Sequence, residues 1–196
     1  PHVPASPADR VAAVTEMDVA LWDRVMAVNL RGAFLCSRAF LPGMLAQGRG
    51  TIINMVSTDG MPGISAYITS KQGLVGFTQS LALEVGDRGV NVVAFAPGMV
   101  DTPGLNAIAP DLAPRLGMTA SEFLRIPLHA AYDGLMPVEH AGVATAYLVA
   151  EAAGDYHGEV VDGYTILERA GVIHVTGGAT EEPSDSAPVE QTAPHE

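Results

Sequence analysis

The longest regular pattern in the chain lies in "TEMDVALWDRVMAVNLRGAFLCSRAFLPGMLAQG", where apolar side chains recur at three- and four-residue intervals. This spacing predicts helix over about residues 18–46, in two parts that meet near Asn29 to Gly32. "TIINMVS" follows as a short β-branched run, a strand over 51–56, and "TDGMPG" is the turn after it. "SAYITSKQGLVGFTQSLALEVG" is a helix over 65–85, with Gly86 as its stop. "GVNVVAFAPG" is a buried strand over 90–95, ended by Pro97-Gly98. Residues 101–136 mix loop and short helix, and within them Thr119 to Glu122 form a capping box. Pro137 suits the first turn of a helix running to about Glu151. "GEVVDGYTIL" supplies a third strand over 159–166.

Helix, apolar strand, helix, apolar strand is an α/β pattern with a parallel sheet and helices on both faces. Ligands in such sheets bind beyond the carboxyl ends of the strands. Here those ends are Ser57 and "APGMVDT". The length of 196 residues suits one domain. Residues 176–196 hold no Lys or Arg and are rich in Gly, Pro, Thr and Glu, the composition of a disordered acidic tail.

A formal net charge of −12 argues against nucleic acid and against an anionic membrane surface as partners. No apolar run is long enough to span a bilayer. Cys36 is the one cysteine, so there is no disulfide framework, and a reducing, cytoplasmic setting is expected. The six histidines show no HExxH spacing, so no metal site is indicated, and no G-x-S-x-G elbow marks a hydrolase. His129 and His140 read as loop and helix-surface residues. Met99, Met118 and Met136 suit either an apolar pocket or plain packing.

Lys71 is the only charged residue between Asp59 and Glu84, and it stands four residues after Tyr67. That spacing puts both side chains on one helix face. An ammonium within about 4–6 Å favours the phenolate and lowers a tyrosine pKa by about 1–3 units, making it a usable acid/base. The plainer alternative is a core tyrosine beside a lysine that snorkels to water. Ser57 is a turn residue, or a hydroxyl that holds a substrate oxygen at the strand end. Asn29 lies in an apolar stripe with Trp22 and Ala33, where an unpaired amide costs about 1–3 kcal/mol. A helix kink beside Gly32 and a functional role are both open to it.

"VMAVNLRGAF", "GTIINMVST", "AYITSK" and "VNVVAFAPGMVDTPG", in that order, resemble the short-chain dehydrogenase/reductase family over roughly residues 15–104. The likeness extends more faintly through "MPVEHAGVATAYLVAE" and "GEVVDG". It implies a partial Rossmann-like, doubly wound sheet and hydride exchange between a small alcohol or ketone and NAD or NADP. By resemblance, Tyr67 is the catalytic acid/base, and Lys71 lowers its pKa and binds the nicotinamide ribose. Ser57 orients the substrate oxygen, and Asn29 holds a water that links Lys71 to solvent. Pro97, Gly98, Val100 and Thr102 wall the nicotinamide. The resemblance also implies a homodimer or homotetramer in which the two long helices pair across an interface, with Gly73, Gly76 and Ala82 allowing close approach.

The family's Gly-rich TGxxxGxG turn, its cofactor selector and its "NNAG" have no counterpart in the sequence. The chain also opens on Pro1 rather than Met. Residues 1–175 are therefore expected to be the C-terminal part of a short-chain dehydrogenase domain, in an N-terminally truncated chain with no turnover of its own. A non-catalytic fragment of the same fold, acting at most as an interaction module, is the competing reading. Ser57 and Tyr67 are only ten residues apart, so the loop joining them must be tight.

Overall fold

Strand β2 (Val90–Ala96) is the middle of a three-stranded sheet. The computed structural model describes residues 11–174. In it β1 (Gly50–Met55) and β3 (Val160–Asp162) flank β2, and both run parallel to it. The β1–β2 register runs from Gly50 opposite Val90 to Met55 opposite Phe95. Val92 to Phe95 are fully buried. That explains the near-continuous apolar run, since a strand covered on both faces has no polar side.

Alternate residues of β2 feed two helical layers. Val90 and Val92 pack with Leu81, Ala82 and Val85 of helix α3 (Ser65–Val85). Val93 and Phe95 pack with Ala144 and Leu148, and with Ile166 and Leu167. Those residues belong to helix α6 (Val138–Tyr147), its π-helical extension Leu148–Ala152, and helix α7 (Gly163–Arg169). The expected layering of helices on both faces is thus present.

The first long helix is built in two parts, as the pattern implied. Asp18 caps α1 (Val19–Met26) by accepting from the Ala20 amide at 2.9 Å. A π-helical turn, Ala27–Arg31, then joins it to α2 (Gly32–Gln47). Gly48 ends α2 at φ 64°, and Gly86 ends α3 at φ 50°. Helix α4 (Pro103–Leu112), a 3₁₀ turn at Ala113–Leu116 and the short α5 (Ala120–Phe123) surround a separate apolar cluster centred on Leu112 and Phe123. The capping box is present: Thr119 Oγ1 accepts from the Glu122 amide, and Glu122 Oε2 accepts from the Thr119 amide at 2.7 Å.

Three expectations need correction. The third strand stops at Asp162 instead of continuing to 166. The Asp162 carboxylate accepts from the Thr165 amide (2.9 Å) and the Thr165 hydroxyl (2.6 Å), which caps α7 and turns the chain. Pro137 is the residue before α6 rather than part of its first turn. Gly73 and Ala82 do not form an outward face. A Cβ on Gly73 would meet Leu30 Cδ2 at 2.9 Å, so this glycine lets α3 approach the π turn within the chain, and Ala82 is buried in the core. Of the three small residues only Gly76 faces open space. The acidic tail expected at 176–196 lies outside the described residues, as do residues 1–10 of the Pro/Ala-rich entry.

One buried polar pair fixes β1 against α3. Asn54, on β1, donates to the Thr78 hydroxyl at 2.8 Å, and both residues are buried. Thr78→Val keeps the shape and leaves the Asn54 amide without its acceptor. The expected loss is about 1–3 kcal/mol of stability. Urea unfolding should show a lower midpoint with an unchanged slope.

Candidate active site

The chemistry-bearing residues gather where the two longer strands end. The β1–β2 ladder extends one residue past β1, through the Val56 amide to Phe95 O at 2.8 Å, and half-buried Ser57 follows at once. The tight connection needed to reach Tyr67 turns at Gly63, with φ 88°. Tyr67 then stands in the first turn of α3, and Lys71 one turn further along the same face.

Lys71 Nζ lies 5.6 Å from the centroid of the Tyr67 ring. The ammonium does not simply stand free beside the phenol. It donates to the backbone carbonyl of Met55 at 2.7 Å. Burial pushes the Tyr67 hydroxyl above the ordinary tyrosine value, and burial pushes Lys71 below the ordinary lysine value. The expectation that Lys71 lowers the tyrosine pKa is therefore not met in this state. Desolvation is the cause of the upward shift, and the ammonium is hydrogen-bonded to a carbonyl.

Asn29 sits in the π turn, a feature frequently found at functional sites. Its Nδ2 donates to the Ser70 hydroxyl at 3.0 Å, and Ser70 in turn donates to the Tyr67 carbonyl at 2.6 Å. Both readings of Asn29 are thus accommodated: the helix is deformed there, and the amide is tied to the turn that carries Tyr67 and Lys71. Ser70 went unrecognised from sequence. Its signal was a serine on the buried face of α3, fully inaccessible, where an unpaired hydroxyl is costly. Asn29 and Lys71 line one groove of about 410 Å³ along β1. Ser57, Tyr67 and the segment after β2 are not among its lining residues.

The segment after β2 is braced from behind. Gly98 holds φ 92°, and a Cβ there would meet three Tyr164 ring atoms at 3.1–3.2 Å. Gly163 abuts Pro97, where a Cβ would fall 2.4 Å from the Pro97 oxygen. Val100 bridges to Met136, with the Asp101 amide donating to Met136 O at 2.9 Å. The Thr102 hydroxyl caps α4 by accepting from the Leu105 amide at 3.3 Å, so its own proton is still available to donate. Behind Gly98, Tyr164 stacks on His129 at 4.7 Å between centroids, and His129 pairs with Glu168 at 3.1 Å. His140, expected on a helix surface, is half-buried and bonded to the Tyr132 hydroxyl at 2.6 Å. Met136 is core, and Met99 and Met118 pack on the cluster around Leu112, so packing is the role observed for all three. Among the described residues no cluster of His, Cys, Asp and Glu is arranged to hold a metal ion, and no helix is long and apolar enough to cross a membrane.

Comparison with known proteins agrees with this fold. The family model described as short chain dehydrogenase matches residues 5–113. The chain is 38% identical over 117 residues to a D-β-hydroxybutyrate dehydrogenase of Rhizobium meliloti, which covers 58% of this chain and 45% of that one. It is 34% identical over 155 residues to the D-β-hydroxybutyrate dehydrogenase of Cupriavidus necator, covering 76% and 60%. Among solved structures it is similar to an actinorhodin polyketide ketoreductase with NADPH, at 30% identity and a TM-score of 0.69, covering 78% of this chain and 60% of that one. The chain thus spans about half the length of the curated relatives it matches.

The opposed shifts of Tyr67 and Lys71 have a measurable sign. The folded chain holds the Tyr67 proton more tightly than the unfolded chain does. That contribution to stability is full below about pH 10 and is lost as pH rises through the higher folded value. For Lys71 the folded value is depressed. Its contribution is present above about pH 10.4 and is lost as pH falls through the folded value. A ¹³C NMR titration of the tyrosine ring and lysine ε carbons, assigned with Tyr67→Phe and Lys71→Arg, should show Tyr67 as a late-titrating tyrosine and Lys71 as an early-titrating lysine.

Proposed function

Because the chain belongs to the short-chain dehydrogenase family, we propose that it carries the catalytic half of an NAD- or NADP-dependent oxidoreductase that interconverts an alcohol and a carbonyl. The observation that carries this reading is the Tyr67–Lys71 pair: a phenol of raised pKa and an ammonium of lowered pKa on one helix face, with the ammonium 5.6 Å from the ring centroid. A proton donor is needed at the carbonyl oxygen in the reducing direction, and an acceptor in the other. Tyr67 is the titratable hydroxyl placed for both.

Lys71 supports it in two ways. Its ammonium has three protons and the Met55 carbonyl takes one, so two are free for a ribose hydroxyl and for stabilising phenolate as the proton leaves. Ser57, directly after β1, orients the substrate oxygen. Asn29 keeps its amide oxygen as an acceptor for a water that relays the proton, since its Nδ2 is already committed to Ser70.

The nicotinamide end of the cofactor suits the residues present. Pro97, Gly98 and Val100 offer a turn held from behind by Tyr164, Gly163 and Met136, and the Thr102 proton is free for a carboxamide oxygen. A bound nicotinamide supplies the hydride; the protein supplies orientation and the proton. The sequence has no Gly-rich turn for the pyrophosphate.

The substrate class is a small secondary alcohol or ketone, in keeping with relatives named for D-β-hydroxybutyrate. Exposed Phe34, Leu35, Phe40 and Leu83 on α2 and α3 support a homodimer or homotetramer of the complete enzyme. A single cysteine and the acidic charge support a cytoplasmic protein with neither nucleic acid nor membrane as partner.

In a protein with a complete nucleotide site, Tyr67→Phe keeps the ring and removes the proton. Turnover should fall by about 10²–10⁴. Lys71→Ala should lower turnover and weaken cofactor binding together, and Thr102→Val should chiefly weaken cofactor binding. Steady-state assays on secondary alcohols and ketones, with NADH and NADPH fluorescence titrations, check all three. Full activity in Tyr67→Phe would refute the mechanism.

A further inference from the structure

Four rings cluster behind Gly98: His129, Tyr132, His140 and Tyr164. Tyr164 sits at the centre. Its ring stacks on His129, with centroids 4.7 Å apart and planes 8° from parallel, and tilts against Tyr132 at 6.0 Å. Tyr132 in turn is bonded to His140 through its hydroxyl. The hydroxyl end of the Tyr164 ring meets Gly98, where a Cβ would lie 3.1 Å from Cε2 and Oη and 3.2 Å from Cζ. Gly98 is itself exposed, so one side of it rests on the ring and the other is open to a ligand. The Tyr164 hydroxyl is buried and has no hydrogen-bond partner among the described residues. No protein group therefore fixes the ring through its hydroxyl. Packing fixes it, and the flat contact is with His129.

His129 is held in turn through both ring nitrogens. The Ala131 amide donates to Nδ1 at 3.2 Å, so Nδ1 accepts and Nε2 carries the proton. Nε2 then donates to Glu168 Oε1 at 3.1 Å. Tyr164 and Glu168 are four apart on α7 and share a face. One helix thus supplies both the ring and the carboxylate that locks the imidazole over it. The start of α7 brings this face to the turn. Asp162 caps the helix, and Gly163 admits Pro97, since a Cβ there would fall 2.4 Å from the Pro97 oxygen. The next residue, Tyr164, then reaches Gly98. The segment that carries His129 also returns to the turn at its other end. There the Met136 amide donates to Met99 O at 3.0 Å, and the Asp101 amide to Met136 O at 2.9 Å.

We infer that Tyr164 is a positioning residue for the turn at Gly98, and that the His129–Glu168 pair acts on that turn by holding the Tyr164 ring against it. Gly98 has φ 92°, a conformation that glycine enters without steric cost and leaves as readily. A ring packed on the side where a Cβ would stand removes that freedom while the residue stays a glycine. His129 and Glu168 thus bear on the turn through the ring between them. That the turn walls a nicotinamide rests on the oxidoreductase reading; the bracing of the turn does not.

The test follows variants of the 196-residue chain by NMR, and then turnover in a protein with a complete nucleotide site. A ring beside Gly98 shifts the Gly98 Hα resonances by its ring current. Glu168→Leu keeps the ring in the chain but releases His129, so that shift should shrink. Glu168→Gln retains an acceptor for the Nε2 proton and should preserve the shift, as should Tyr164→Phe, which retains the ring. Tyr164→Leu should speed exchange of the Asp101 and Met136 amides relative to those of β2. In the complete protein Tyr164→Leu should lower turnover by about 10–10²-fold, with a smaller loss of cofactor affinity, because the turn meets only the nicotinamide end. Tyr164→Phe should turn over like the unsubstituted protein. An unchanged Gly98 shift in Glu168→Leu overturns the role of His129 and Glu168. Unchanged relative exchange in Tyr164→Leu, or turnover equal to that of Tyr164→Phe, overturns the positioning role of Tyr164. The expected NMR changes together with a complete protein that turns over in no form would count against the oxidoreductase reading alone.

Discussion

An ammonium in a stretch with no other charge between Asp59 and Glu84 must find acceptors, and Lys71 finds one at the end of β1. That constraint organises the site. The lysine is close enough to α3's tyrosine to act on it and close enough to the strand edge to be drawn away. Burial holds the Tyr67 proton on, and burial favours the uncharged amine at Lys71.

The scaffold makes this arrangement rigid on one side and open on the other. β2 is sealed by two helical layers, and α3 is pinned to β1 by the Asn54–Thr78 bond and to the π turn by Asn29–Ser70 and the close fit of Gly73 on Leu30. The loop after β2 is held by Tyr164 at Gly98 and by Met136 at Val100. Against this, among the described residues β1 has no strand on its outer edge, the state that sheets ordinarily avoid. The competing view of the chain as a non-catalytic module draws its support from the same open edge.

Much of this was legible in the sequence, for physical reasons that differ by element. β2 announced itself because a doubly covered strand must be apolar throughout. α3 was bounded by the turn TDGMPG and Gly86, and the break near Asn29 showed as an amide in an apolar stripe. β3 was misjudged because "GEVVDGYTIL" is apolar enough for a strand, while the decision rests with Asp162, the fifth residue of that run, whose carboxylate caps the next helix. Motif order along the chain singled out Tyr67, Lys71, Ser57, Asn29 and the Pro97–Thr102 segment as candidates. It could not show that Lys71 turns to the Met55 carbonyl, because that contact depends on which strand edge is empty. The brace of His129, Tyr164 and Glu168 was equally hidden, since His129 comes from a loop far from the helix that carries Tyr164 and Glu168.

The most direct measurement is the Tyr67 titration in the 196-residue chain and, with nicotinamide cofactor bound, in a protein with a complete nucleotide site, followed by ¹³C at the ring carbon bearing the hydroxyl. The account predicts a value above the ordinary tyrosine range in the 196-residue chain, and a fall below that value once a ribose is in place beside Lys71. A Tyr67 that titrates at the same pH with and without cofactor would contradict it, because the lysine would then have no hold on its proton.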